Sequence, residues 1–431
     1  MARIVIAHQS VLGPDEIYDA YIIGRALVTR GHHVLYISDD VGGIYQLTGP
    51  DARLEAWQVI LPPELTTKSV TSSQLRGYGD KLAEIGFSDP VRLRALMNAW
   101  TTQLRRAKPD VVVAVAAPVA WLVGPHIGPT LAVGSGAALP VSTDSGFIEA
   151  SDDASSAVES SVLETNINFA LAELGFERID SLTKILERCE QWHYGLDWLD
   201  PYLPYRQSPS VGMLGAMPPD GGGPTEARLS IFLDVHHPNV ANILLAIASL
   251  VGLKIDLFVK GATMAMQNFL SAQPEVSLWD RFDSAVAQAP KASAIIHHGA
   301  PMIAMLGIAA GRPHLVLPWT SEQMTVLEML EEQGVAWWKG TNFSLAEIGQ
   351  TLRALLKDQS ILNRALHHRT KLAEEGTDNA LLTISAAVEA AAAKHLRVTD
   401  LPPPRDQLQP AANAAALALP LQEVIPASQT S

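Results

Sequence analysis

The stretch "SAIIHHGAPMIAMLGIAAGRPHLVLPWTSEQ", residues 293 to 323, sets an apolar strand, two histidines, a glycine, a probable helix, a second strand and an acid–amide pair in one unit. In an open α/β sheet, ligands bind at the carboxyl ends of strands, where a helix amino terminus offers free N–H groups and partial positive charge to an anion. His298, Gly299 and Ala300 make such a strand-to-helix turn, and Pro301 starts the helix at a position that tolerates proline. A phosphate fits there. At the other end Glu322 and Gln323 carry oxygens and an amide suited to hydroxyl groups. A ligand with a diphosphate at one end and a polyol at the other, a nucleotide sugar, has the matching shape.

The elements that must hold this unit alternate between strand and helix. "RIVIA", the helical pattern Ile17 to Thr29, "HVLYI", "DVVVAVAA" and "TLAVGSG" occupy the first half. Their strands are apolar on both faces, as in buried parallel sheets built from βαβ units. The pattern from about Glu159 to Gln191 is helical, and an irregular aromatic and proline-rich stretch follows. "MPPDGGGPTEA" punctuates without any period and reads as a linker. The alternation then restarts with "LSIFLDV", a helix from Asn239 to Val251, "LKIDLFV" and "VSLWD". Helices from Leu345 to Leu356, Ile361 to Glu374 and Asn379 to Lys394 close the pattern, the last expected to pack back across the domains.

An α/β architecture of two Rossmann-like doubly wound domains facing across a cleft follows. The expected division is 1–216 for the first domain, 217–228 for the linker, 229–395 for the second domain and 396–431 for a disordered tail rich in Pro, Ala and Gln. A chain of 431 residues exceeds one ordinary core, which agrees with two domains.

Composition narrows the function classes. The net charge of −14, without a basic run, argues against nucleic acid as a partner. A single cysteine, Cys189, cannot close an internal disulfide, and the first residues enter a strand without a secretory pattern, so a cytoplasmic location is expected. No apolar run approaches the roughly 20 residues that span a bilayer.

The segment "AIIHHGAPMIAMLGIAAGRPHLVLPWTSEQMTVLEMLEEQGVAWW" resembles the donor-binding signature of GT-B glycosyltransferases, in the bacterial macrolide and natural-product branch of the UDP-glycosyltransferase superfamily. Agreement lies in His298, Gly299, "AAGRPHLVLP", Glu322-Gln323 and "GVA". "RIVIAHQSVLGPDEIYDAYIIGRALVTRGHHVLYIS", "KPDVVVAVAAPVAWLV" and "PTLAVGSG" resemble the acceptor domain, so the likeness runs over roughly residues 1 to 395. Two departures stand out. Ala300 and Pro301 replace a second glycine and its neighbours, and "FLDVHHPN" replaces the glycine-serine that ends the first donor-domain strand.

The resemblance implies a metal-independent hexosyltransferase that needs no cofactor beyond a UDP- or TDP-sugar co-substrate. It places the donor at His298, Gly299, Ala300, Glu322 and Gln323, with Trp279 stacked on the base. It also places the catalytic base about sixteen residues before the His of "RGH", which reaches Glu16, with Asp15 beside it. A carboxylate there takes the proton of an acceptor hydroxyl as it attacks the anomeric carbon with inversion, while His298 and the helix dipole offset charge on the leaving diphosphate. The acceptor is expected to be small and partly apolar, from Trp121, Leu122 and the helical residues 162 to 173. A homodimer is an expectation that no residue pattern specifies.

Each assignment has a plainer counterpart. Asp15 and Glu16 serve equally as capping and first-turn acids, the Glu322-Gln323 segment as a helix start capped by Thr320, Ser321 and an adjacent acid, Trp279 as core and His8 as a hydrogen-bonded loop residue. The adjacent His pairs at 32–33, 236–237, 297–298 and 367–368 do not chelate, because neighbours on a strand or helix point apart. A non-catalytic homologue acting as a partner or activator protein is the rival function, favoured by the altered "HHGAPMIA" turn. An epimerase of similar architecture lacks a clear set of acids in the second half.

Overall fold

The computed structural model describes residues 1–9, 16–48, 54–59, 77–143, 146–148, 158–215, 227–250, 252–337, 345–375 and 379–399. The expected linker core, Asp15 and residues 400–431 of the expected tail lie outside them, while residues 396–399 continue the last helix. The first sheet comprises β1 (Arg3–His8), β2 (His33–Ser38), β3 (Leu54–Gln58), β4 (Val111–Val115), β5 (Thr130–Ser135) and, beyond a small hairpin of β6 (Ser142–Thr143) and β7 (Gly146–Phe147), β8 (Glu190–Tyr194). Its order is β3-β2-β1-β4-β5-β8, and every pair in it is parallel. The second sheet takes β9 (Arg228–Asp234), β10 (Lys254–Lys260), β11 (Val276–Trp279), β12 (Ala294–His297), β13 (His314–Val316) and β14 (Ala336–Trp337). Its parallel order is β11-β10-β9-β12-β13-β14.

Both orders reverse direction once, between β1 and β4 in the first sheet and between β9 and β12 in the second. A doubly wound sheet opens its ligand crevice at that reversal, outside the carboxyl ends of the strands. The loops after β1, β4, β9 and β12 are therefore the places to look for chemistry.

Helices of the first half are α1 (Glu16–Thr29), α2 (Val41–Thr48), α3 (Tyr78–Leu82), α4 (Pro90–Ala107), α5 (Pro118–Val123) and α6 (Ser160–Glu173). The second half has α7 (Val240–Ala248), α8 (Met264–Ser271), α9 (Phe282–Val286), α10 (Pro301–Ala310), α11 (Ser321–Glu332), α12 (Leu345–Leu355), α13 (Gln359–Glu375) and α14 (Ala380–Thr399). The helix expected from 159 to 191 stops at Glu173. Gly175 at φ 71° ends it, and the edge strand β8 follows where helical residues were expected.

Three apolar clusters fill the molecule. One lies under the α4 and α6 face of the first sheet, holding Trp100, Trp121 and Leu163. A second lies under α7 and α12 in the second half, holding Leu244 and Leu352. The third runs from the first sheet through α1 and α14 into the second sheet, so Tyr18, Tyr194, Phe258, Phe282 and Met305 share one core. Tyr18 of α1 stacks on Phe282 of α9 at 4.3 Å between ring centres.

Polar bonds rim this contact. Tyr21 donates to Asp283 at 2.7 Å, and Gln46 bonds the Val259 carbonyl and the Gly261 amide at 3.1 and 2.6 Å. The final helix does return to the first domain. Glu389 of α14 accepts from Arg30 at 2.8 and 2.7 Å and meets His32 at 2.9 Å.

Candidate functional site

The strand β12 ends in His297, and the chain turns through His298, Gly299 and Ala300 into α10. Gly299 stands at φ 109°, a conformation that L side chains rarely adopt, so glycine is required. Ala300 is the N-cap at φ −60°, ψ 122°, which any residue adopts; the missing second glycine costs this turn no backbone freedom. Pro301 fills the first helical position, and Ala300 offers no side chain to cap the helix. The Met302 and Ile303 amides thus open α10 without a side-chain cap, beside the β9–β12 reversal.

Gly299 also lies hard against the next helix start. A Cβ there would sit 2.7 Å from the Gln323 carbonyl oxygen and 2.9 Å from its Cα. Gln323 closes a capping box: its backbone N–H donates to Thr320 Oγ1 at 3.3 Å, and its Oε1 accepts from the Trp319 and Thr320 amides at 2.9 and 3.3 Å. Capping by Thr320, expected as the plainer reading of this segment, is present, and Gln323 completes the box. Glu322 is the second residue of α11, and its side chain lies outside the described residues.

Three histidines crowd this corner. His298 is 1% exposed, with its ring 6.3 Å from that of Trp319. His237, on the loop after β9, stacks on the Trp319 ring system at 5.4 Å and 12°. Its Nδ1 accepts from the Asn239 amide and its Nε2 donates to the Leu317 carbonyl, both at 3.0 Å, which fixes the neutral tautomer. Burial first, then neighbouring His298, pushes its pKa down to about 4. His297 accepts from the Gly299 amide and meets His314 at 3.1 Å; burial, then His314, holds it well below the usual range. These side chains brace the turn.

Sequence reasoning set Asp234, His236 and His237 near the site, but not the lysine that organises two of them. Asp234 ends β9 almost fully buried, and receives Lys260 Nζ at 2.9 Å and the His236 ring at 2.7 Å. Burial alone would raise its pKa, yet the His236 hydrogen bond and Lys260 hold it below the usual carboxylate range. Lys260 also lies 3.9 Å from Asp40 of the first domain. A charged residue closing the apolar run "LFVK" was the available signal.

Trp279 lies on the edge strand β11, half-buried, and donates its indole N–H to Asp256 at 3.0 Å. It packs on the shared core.

In the first domain, Glu16 opens α1 and is 6% exposed. It lines a cavity of about 20 Å³ with Tyr78, Lys81, Ala116 and Trp121, the room of a single water. Ala116, directly after β4, holds φ 45°, a strained value for alanine at a sheet reversal. One turn along α1, Asp19 accepts a short hydrogen bond from Tyr194, whose pKa burial and then Asp19 raise well above the usual value. His8, expected on a loop, is the last residue of β1, fully buried against Ser38 at 3.2 Å. Trp121 is core, with its N–H on the Ala114 carbonyl at 3.3 Å; Leu122 and α6 pack within the same cluster.

Among the described residues, no three His, Cys, Asp or Glu side chains are placed to hold a metal, and no helix is long and apolar enough to cross a membrane.

No protein-family model and no curated protein matches the chain. Solved structures do match its fold. Glycosyltransferase VinC, solved in complex with dTDP, superposes with a TM-score of 0.58 at 17% identity, covering 91% of this chain and 100% of that one. The calicheamicin glycosyltransferase CalG4 gives 0.58 at 16% identity, covering 91% and 99%. SnogD from Streptomyces nogalater gives 0.51 at 18% identity, covering 91% and 100%. With two Rossmann-like domains in the strand order given above, the chain has the GT-B fold that these natural-product glycosyltransferases share.

Proposed function

We propose that the chain is a glycosyltransferase, binding a nucleoside-diphosphate sugar on its second domain and moving the sugar, with inversion, to a hydroxyl of a small, partly apolar acceptor on the first. The observation that carries this reading is the α10 amino terminus, which has no side-chain cap and stands at the reversal of the second sheet. The dTDP in the VinC complex supports a diphosphate ligand of this fold.

In this proposal the Met302 and Ile303 amides receive the diphosphate, helped by the helix dipole and by His298. Glu16, with Asp15 as its neighbour, takes the acceptor proton as the acceptor oxygen bonds to the anomeric carbon and the diphosphate departs. Its cavity admits one oxygen in place of a water. Glu322 remains the proposed sugar contact, and Gln323 contributes by holding the helix start. No metal or further cofactor enters the scheme.

A second reading has its own observation. Ala300 and Met302 are 1% and 5% exposed, and they belong to the core that also holds Tyr194, Leu196 and Leu199 of the first domain. A closed turn of that kind suits a homologue that keeps the architecture and binds a protein partner instead of a donor.

Titration calorimetry with UDP-glucose and TDP-glucose separates the two. The transferase reading expects saturable binding, weakened about tenfold in His298→Ala by loss of a hydrogen bond to a charged group. It also expects Glu16→Gln to bind donor normally while diphosphate release with alcohol and phenol acceptors falls roughly 10²–10⁴-fold. Asp15→Asn should keep its rate. Heat-free titrations with both donors would favour the partner reading.

A further inference from the structure

The first domain has a hollow away from the sheet reversal. A pocket of about 420 Å³ lies beneath the β6–β7 hairpin, beside the edge strand β8. That volume falls within the roughly 300–1,000 Å³ typical of small-molecule sites. Leu139, Phe147, Ile185 and Leu186 supply an apolar wall. Ser142 pins the hairpin over it by donating to the Thr183 carbonyl at 2.7 Å.

His193, near the end of β8, faces this pocket and is only 7% exposed. Its Nε2 has no hydrogen-bond partner among the described residues. Leaving such an atom buried and unsatisfied costs about 1–3 kcal/mol, so the site favours a ligand atom that pairs with it. Burial, then Arg206, lowers the His193 pKa, and the ring is neutral near pH 7.

The charges in the wall are already matched. Arg206 bonds Asp200 at 2.8 Å and the Gly136 and Leu139 carbonyls at 2.6 and 2.9 Å. Lys184 pairs with Asp180 and Glu187 at 3.2 and 3.6 Å. An ionic ligand would find no uncompensated partner in these pairs, whereas a neutral hydroxyl finds the imidazole. The pocket also adjoins the Glu16 cavity. Ala137 and Ala138 line the cavity and Leu139 the pocket, while the Tyr78 and Phe147 rings, 5.0 Å apart, stand one on each side.

We propose that this pocket binds a neutral, hydroxyl-bearing molecule with an apolar ring or chain, anchored by His193. That its ligand is the acceptor rests on the transfer reading; the binding itself does not.

The test uses the full chain, without nucleotide sugar, and 2-naphthol as the probe, with 2-methylnaphthalene as the analogue lacking a hydroxyl. The expected result is saturable 1:1 binding of 2-naphthol, about tenfold tighter than the methyl analogue. His193→Phe should erase that preference, and Val141→Trp, at a half-exposed position in the pocket wall, should cut binding about tenfold without moving the unfolding midpoint. Non-saturating binding, equal affinity for both probes, or wild-type binding in either variant overturns the proposal. Should 2-naphthol bind as expected while no donor binds, the pocket stands and the transfer reading alone fails.

Discussion

Urea unfolding of the chain should weaken steeply as pH falls from 7 to 5. His237, His297 and His314 are buried and neutral, with pKa values pushed down to about 4 for His237, to about 3 for His314 and well below 6.5 for His297. Unfolded, each takes a proton near pH 6.5, so the unfolded state binds more protons throughout the interval below that value. Stability is whole above pH 6.5 and drains as pH falls, by about 1.4 kcal/mol per pH unit for each histidine, until the folded-state pKa is passed. Three such groups reach a large share of the roughly 5–15 kcal/mol that holds a domain together. His236 works in the opposite direction. Its bond to Asp234 raises its pKa, so its contribution is present below pH 6.5 and is lost as pH rises. Because His314 is fully buried, His314→Asn should lower stability at pH 7 but flatten the slope below it. A midpoint that stays level between pH 7 and 5 contradicts the placement of these rings.

Gly299→Ala should destabilise the second domain strongly. The new Cβ meets both the φ of 109° and the Gln323 backbone at 2.7 Å. Strain and overpacking together put the loss at about 2–5 kcal/mol. Gly31→Ala is the control, since Gly31 also has positive φ, 88°, but nothing lies within 4 Å of its added Cβ. It should cost about 1 kcal/mol. The difference in unfolding midpoint isolates the wall formed by the α11 cap; equal midpoints would show that the two helix starts do not touch.

Much of the architecture is legible in the residues. Strands such as "DVVVAVAA" announce burial on both faces, and Gly311, at φ 66°, ends α10 where "AAG" indicates a stop. The edge strand β8, "EQWHY", is not legible, because one exposed edge leaves its sequence polar and its place in the sheet comes from pairing with β5 rather than from its own composition. At the site, His298 and the glycine turn follow from local rules. Capping by Thr320 follows from local rules too, whereas the part Gln323 takes in the box appears only in the folded geometry. The Trp279 N–H is bound to Asp256, a partner 23 residues away that no local pattern indicates. The core that joins Tyr18 to Phe282 depends on how two sheets meet, which no window of sequence contains.

The central claim is that a diphosphate sits on the amides opening α10, and the Met302 amide reports on it directly. In protein labelled with [15N]methionine, with the Met302 signal assigned from Met302→Leu, titration of TDP or UDP should move that amide downfield and saturate, and His298→Ala should weaken the response about tenfold. A Met302 signal that stays fixed at saturating nucleotide, or moves no more than the methionines far from α10, would contradict the donor site and leave the GT-B fold without the proposed chemistry.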